Sequence, residues 1–177
     1  MSSYVALLRG INVGGRAQVK MPALRAIFGR LGFDDVATYI QSGNVVFGSR
    51  SKPKTETIEK ALSDALGLDI AVIVRSARDL RKVVDGNPFP HHADDVHVAF
   101  VAKPLTKATS DQVEPSKYPP EAVAIAKTEL YFHLPNGMGR AKTPPYVARV
   151  LGVPMTVRNW RTVMTLRNMA TELEEGV

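Results

Sequence analysis

The feature that most constrains this chain is an order of elements that occurs twice: strand, helix, strand, strand, helix, strand. In the first half, Tyr4-Val5-Ala6-Leu7-Leu8 is a continuous apolar run, which predicts a strand covered on both faces. Pro22 suits the first turn of a helix, Leu24, Ile27, Phe28 and Leu31 recur at helical spacing, and Gly32 closes it. Val36 to Ile40 and Asn44 to Phe47 are β-rich runs joined by Gln41-Ser42-Gly43, a hairpin pattern. Ile58, Ala61, Leu62, Ala65 and Leu66 give the segment from Lys54 to Leu66 one apolar helical face, and Gly67 ends it before a strand from Ile70 to Val74.

Ser76 with Asp79 resembles a capping box and precedes a short helix carrying Leu80, Val83 and Val84. Asn87-Pro88-Phe89-Pro90 breaks that helix and sets the expected domain boundary, with residues 1–86 before it and 87–177 after it. The second half runs through a strand at Val96 to Val101, a short helix at Thr106 to Val113 and a hairpin of Ala122 to Ala126 with Leu130 to Leu134. It continues with a helix from Pro144 to Leu151 and a strand at Met155 to Val157. The repeat is visible in letters: Leu66-Gly67-Leu68 with Val74-Arg75-Ser76 parallels Leu151-Gly152-Val153 with Val157-Arg158-Asn159. Each half ends in a helix, the last with Trp160, Val163, Leu166, Ala170 and Leu173 on one face. The expected fold is α+β, a duplication of two ferredoxin-like (α-β plait) βαββαβ domains, each followed by a helix. Sheets covered on both faces argue against an open RNA-binding sheet.

No apolar run approaches the roughly 20 residues of a membrane span, so the expected protein is soluble, cytoplasmic and without a membrane partner. The absence of cysteine excludes thiol catalysis and thiolate metal sites. Lys plus Arg outnumber Asp plus Glu by 23 to 17, which favours an anionic partner, although the basic residues are spread as solubility alone would spread them.

In a plait, the exit of strand one, the start of helix one and the turn between strands two and three share one end of the sheet. Arg9, Gly10, Asn12, Gly14 and Gly15 should therefore neighbour Gln41, Ser42 and Asn44. Arginine supplies a planar fork for phosphate or carboxylate, the amides add directional bonds, and glycine lets backbone N–H groups approach an anion. The structural alternative is that the glycines make turns and the amides satisfy buried backbone. A second cluster gathers Asn87-Pro88-Phe89, Gly137 through Lys142, and Arg158-Asn159-Trp160 at the opposite end of the second sheet. Gly137 and Lys142 lead into a helix start that suits an anion, whereas Trp160 reads as a packing anchor and Arg158 and Asn159 also suit a helix cap.

Neither cluster carries a P-loop or a dinucleotide fingerprint, so no cofactor is expected. His91-His92-Ala93-Asp94-Asp95-Val96-His97 contains metal-capable side chains, but adjacent ligands before a strand read as a solvated loop, and no metal site is expected. Ser42 has no histidine in its half of the chain to serve as base. Asp34-Asp35 reads as a turn flank rather than an acid–base pair.

Leu7-Leu8-Arg9-Gly10-Ile11-Asn12-Val13-Gly14-Gly15, Thr38-Tyr39-Ile40-Gln41-Ser42-Gly43-Asn44-Val45, Asn87-Pro88-Phe89, Pro135-Asn136-Gly137-Met138-Gly139 and Val157-Arg158-Asn159-Trp160 together resemble the motifs of the bacterial DUF1697 family. The resemblance covers nearly the whole chain. It implies two α-β plait domains and supplies no activity. The family often has Ser before the lysine that is Lys142 here, whereas this chain has Ala141.

The leading expectation is a small protein that binds an anionic ligand (a phosphorylated metabolite, a nucleotide or nucleic acid) through the Arg9 and Arg158 clusters. The alternatives are an enzyme using Lys142, His133 or Tyr39 for proton transfer, and a non-catalytic interaction scaffold. Oligomeric state is not encoded in these patterns.

Overall fold

The computed structural model describes residues 1–15 and 17–176. Two four-stranded antiparallel sheets are built from β1 (Ser2–Leu8), β2 (Asp34–Thr38), β3 (Asn44–Ser49) and β4 (Val72–Ser76), then β5 (Val96–Val101), β6 (Ala122–Ile125), β7 (Glu129–His133) and β8 (Met155–Asn159). Their strand orders are β2-β3-β1-β4 and β6-β7-β5-β8. The helices are α1 (Met21–Arg30), α2 (Thr55–Leu66), α3 (Ala77–Asp85), the single turn α4 (Lys107–Ser110), α5 (Thr143–Leu151) and α6 (Trp160–Glu175). Two compact units result, one of Met1–Lys82 with Thr165–Val177 and one of Val83–Met164.

In the first unit β1 lies between β3 and β4, with Ala6 opposite both Val45 and Val74. Ala6 and Leu8 join Leu24, Phe28, Phe47, Ile58 and Leu62 in one core. Val5 and Leu7 point to the other face by strand alternation and are also 0% exposed, so β1 is covered on both sides. On that second face the end of α6 closes over the strand: Ser3 Oγ donates to the Ala170 carbonyl at 2.5 Å. Arg81 of α3 donates to Glu174 of α6 at 3.0 Å.

The second unit repeats the arrangement around β5, between β7 and β8. Its core gathers Ala99, Val101, Leu130, Phe132, Val147 and Leu151. On the opposite face the Tyr131 hydroxyl donates to the Val83 carbonyl at 2.8 Å, and burial holds its pKa above the ordinary phenol value.

β1, β3 and β8 each extend two residues beyond their expected runs, and β2, β4 and α4 are placed differently from the pattern in the letters. β2 starts at Asp34 rather than Val36, with a register shift between Asp34 and Ala37 and Asp35 at φ 49°. It ends before Ile40, which turns outward at φ 48° because Tyr39 N–H already bonds the Asn44 carbonyl and closes the hairpin. β4 runs two residues later than its apolar run, paired through Val72 opposite Leu8. α4 is one turn: after Ser110 the backbone bonds tighten to i→i+3 spacing, with Gln112 bonding Thr109 and Val113 bonding Ser110.

Candidate functional site

The loop after β1 folds around Asn12. Its backbone sits at φ 55°, a left-handed conformation that Asn tolerates better than most residues. Its Nδ2 donates to the Val19 carbonyl at 3.0 Å and to the Gln41 carbonyl at 2.7 Å, and its Oδ1 accepts from Val19 N–H at 2.8 Å. Asn12 therefore staples the β1–α1 loop to the β2–β3 turn. Beside the staple lies a cleft of about 590 Å³, lined by Asn12, Gly15, Gln18, Lys20, Pro22 and Gln41 among others.

The turn itself is internally satisfied. Asn44 is 0% exposed, and its Nδ2 donates to the Tyr39 carbonyl at 3.0 Å and to Ser42 Oγ at 2.9 Å. Gly43 sits at φ +82° with Ile11 Cγ1 2.8 Å and Leu8 Cβ 2.9 Å from where a Cβ would stand. Its carbonyl accepts from Leu8 N–H. Arg9, Gly10 and Gly14 are exposed in the same loop but do not line the cleft. The structure thus brings the first predicted cluster together, with Gly15 and Gln41 on the cleft and Ser42 and Asn44 holding the turn behind it.

The second cluster is organised around a residue absent from the sequence expectation. Glu121, 9% exposed, receives Lys142 N–H at 3.0 Å and Thr143 N–H at 2.7 Å, so its carboxylate occupies the start of α5. Burial pushes its pKa up, but the donors from Thr143 and Lys142 outweigh burial and hold it below the ordinary carboxylate value. The helix start expected to receive an external anion already has an internal one. Next to it lies a cavity of about 510 Å³ lined by Lys117, Tyr118, Glu121, Asn136, Arg140 and Lys142. Gly137, at φ +77°, turns the chain beside it.

Arg158 does not line that cavity; it stands on β8 opposite Val98. It is 8% exposed, donates to Thr156 Oγ1 and to the Val157 carbonyl at 2.8 Å each, and is pushed down to about 10 by burial. Asn159 Oδ1 accepts from Thr162 N–H at 2.8 Å, the geometry of a cap on the first turn of α6.

The Asn87-Pro88-Phe89 motif also takes a definite place. Phe89 N–H bonds Asn87 Oδ1, and the Phe89 ring stacks on His133 of β7 with centroids 5.5 Å apart. The 3-10 segment Pro90–Asp95 that follows carries His92 and Asp95 to the same histidine. His97, by contrast, stands opposite Phe132 rather than His133, and so points to the other face of the sheet. Spacing alone could not find the grouping with His133, which rests on a β5–β7 register.

The family model for DUF1697, described as a protein of unknown function, matches residues 1–131. Among solved structures, the conserved bacterial protein SP0830 from Streptococcus pneumoniae is similar at 24% identity and a TM-score of 0.70, covering 96% of this chain and 98% of that one. No curated protein matches the chain.

Proposed function

The chain belongs to the DUF1697 family of proteins of unknown function, and we propose that it binds a small anionic ligand, a phosphorylated metabolite or nucleotide, in the cleft beside Asn12. The observation that carries this reading is the way α1 begins. Its cap residue, Lys20, makes no side-chain capping bond, and its first turn holds no acidic residue. The first-turn amides of a helix have no intrahelical acceptor, and the helix dipole adds partial positive charge there. Here Pro22 has no N–H and Leu24 N–H already bonds the Lys20 carbonyl, which leaves the Met21 amide as the first-turn donor at the 590 Å³ cleft that Lys20, Gly15 and Gln41 also line, a size within the usual range for small-molecule sites. The contrast with α5, whose start is filled by Glu121, supports an external anion at α1. Arg9, exposed in the same loop, supplies long-range attraction. Asn12, Ser42 and Asn44 act in this reading as the frame of the site.

The second cavity, with Lys117, Arg140 and Lys142, supports an accessory anion position rather than the main site, because Glu121 already offsets part of its positive charge. We also infer that the two units are duplicated ferredoxin-like plaits. Identical strand orders support this, as do two matched details. Arg75 and Arg158 each donate to the carbonyl of the preceding residue, and Ser76 and Asn159 each accept a first-turn N–H of the helix that follows.

The test is a thermal-shift screen of the full chain against inorganic phosphate, nucleotides, sugar phosphates, carboxylates and short RNA or DNA, repeated with Lys20→Glu and Arg9→Ala. A ligand at ~100 times its Kd stabilises by about 2.7 kcal/mol, enough to move Tm by several degrees. The expected result is a selective small-molecule hit abolished by Lys20→Glu. No shift from any compound, or a shift equal in wild type and Lys20→Glu, overturns the assignment. A steeply salt-dependent response to nucleic acid alone replaces the small molecule with that partner.

A further inference from the structure

We propose that His92, Asp95 and His133 form a binding site for a first-row divalent transition-metal ion of the zinc class. The site lies wholly within the second unit and is independent of the anion cleft. One ligand atom from each residue falls within 4.8 Å of the other two. His133 Nε2 and Asp95 Oδ2 stand 3.8 Å apart, too far for a hydrogen bond. In a tetrahedral site, bonds of about 2.0–2.2 Å set ligand atoms roughly 3.3–3.6 Å apart, so the pair stands slightly wider than two ligands on one ion and a small side-chain rotation closes it. His133 Nε2 is buried and has no hydrogen-bond partner among the described residues. A buried ring nitrogen left in that state is costly and calls for a physical explanation, and an ion between it and Asp95 supplies one.

The frame around the three groups is rigid where it needs to be. His133 is held in β7 opposite Val96, the Asp95 carbonyl accepts Leu134 N–H at 2.8 Å, and Phe89 stacks on the His133 ring. His92 is the adjustable member. It is exposed, its backbone departs from helical geometry at φ −126° and ψ 34°, and its ring lies 4.7 Å from the His133 ring. Rotation of this exposed side chain brings its nitrogen into range. Two imidazoles and one carboxylate favour zinc, nickel, cobalt, copper or iron(II) over magnesium or calcium. Three protein ligands leave further coordination positions to water or an exogenous ligand.

The experiment is calorimetric titration of the untagged full chain with ZnCl2 and with MgCl2, together with the visible absorption of a Co²⁺ titration. The expected result is one zinc per chain, no magnesium binding, and cobalt bands that zinc displaces. His92→Ala and Asp95→Asn, both at accessible positions, should each weaken zinc at least about tenfold. His91→Ala should leave it unchanged. His133→Gln should abolish the cobalt bands, with far-UV circular dichroism reporting that the fold persists. Absence of stoichiometric zinc binding by wild type, or equal weakening by His91→Ala and His92→Ala, overturns the site.

Discussion

Asn12 and Gln41, 29 positions apart in the chain, are joined by a 2.7 Å hydrogen bond from the Asn12 side chain to the Gln41 carbonyl. With the two bonds to Val19, that contact fixes the mouth of the first cleft. Asn12→Ala removes all three bonds and places alanine at φ 55°. The expected cost is roughly 1–3 kcal/mol, read as a Tm lowered by several degrees. Asn12→Asp keeps the acceptor for Val19 N–H but sets a carboxylate oxygen against the Val19 and Gln41 carbonyl oxygens, so it should melt well below wild type in the same series.

Gly43 and Gly15 both have positive φ, yet their substitutions should differ sharply. A Cβ on Gly43 meets Ile11 and Leu8 side-chain atoms inside 3.0 Å, whereas one on Gly15 meets nothing within 4 Å. Gly15→Ala should therefore cost only the backbone penalty, about 1–2 kcal/mol. Gly43→Ala adds displacement of buried core atoms and should cost several kcal/mol, as overpacking does. Urea unfolding of the two variants checks the order, and equal midpoints contradict it.

The contrast between those glycines also marks what was legible in the sequence. The apolar runs around Leu7, Phe47, Val98 and Phe132 announced both sheets, because hydrophobic periodicity is a local signal. So did the glycines at 67 and 152, which end α2 and α5 in left-handed geometry. The proximity of the Arg9 loop to the Gln41 turn followed from strand order. The side-chain assignments did not follow. Nothing local tells that Asn44 is fully buried, that Glu121 reaches across to the start of α5, or that Ser3 bonds Ala170 167 positions away. Each depends on a long-range register. Lys20 carries no local signal of a site, because a lysine before a helix reads as ordinary surface charge and only the folded loop sets it beside the cleft.

Phe47 is the hub of the first unit's aromatic cluster, with ring centroids 4.4 Å from Phe33, 5.3 Å from Phe28 and 6.0 Å from Tyr4. It is 0% exposed. Phe47→Ala should destabilise by about 3–5 kcal/mol, the sum of lost transfer energy and an unfilled cavity. Phe47→Leu should recover a large part of that loss. Chemical denaturation with both variants measures the difference.

Glu121 gives the stability of the second unit a defined pH dependence. Its carboxylate caps α5 through Lys142 and Thr143 N–H, and those donors hold its folded-state pKa below the ordinary 4.5. A depressed folded value means that the charged form stabilises the native state. The contribution is complete above the unfolded-state value and is lost as pH falls through the lowered one. Glu121→Gln retains a carbonyl oxygen that can accept one of the two N–H groups, so it removes the charge with little change in volume. The expected cost near pH 7 is about 1 kcal/mol, the ordinary worth of a helix cap with its dipole contribution. Urea unfolding of wild type and variant across a pH series should show a constant gap well above the ordinary carboxylate value that narrows as pH falls through and below it, as linkage requires. A gap that does not change with pH would mean that Glu121 acts through shape rather than charge.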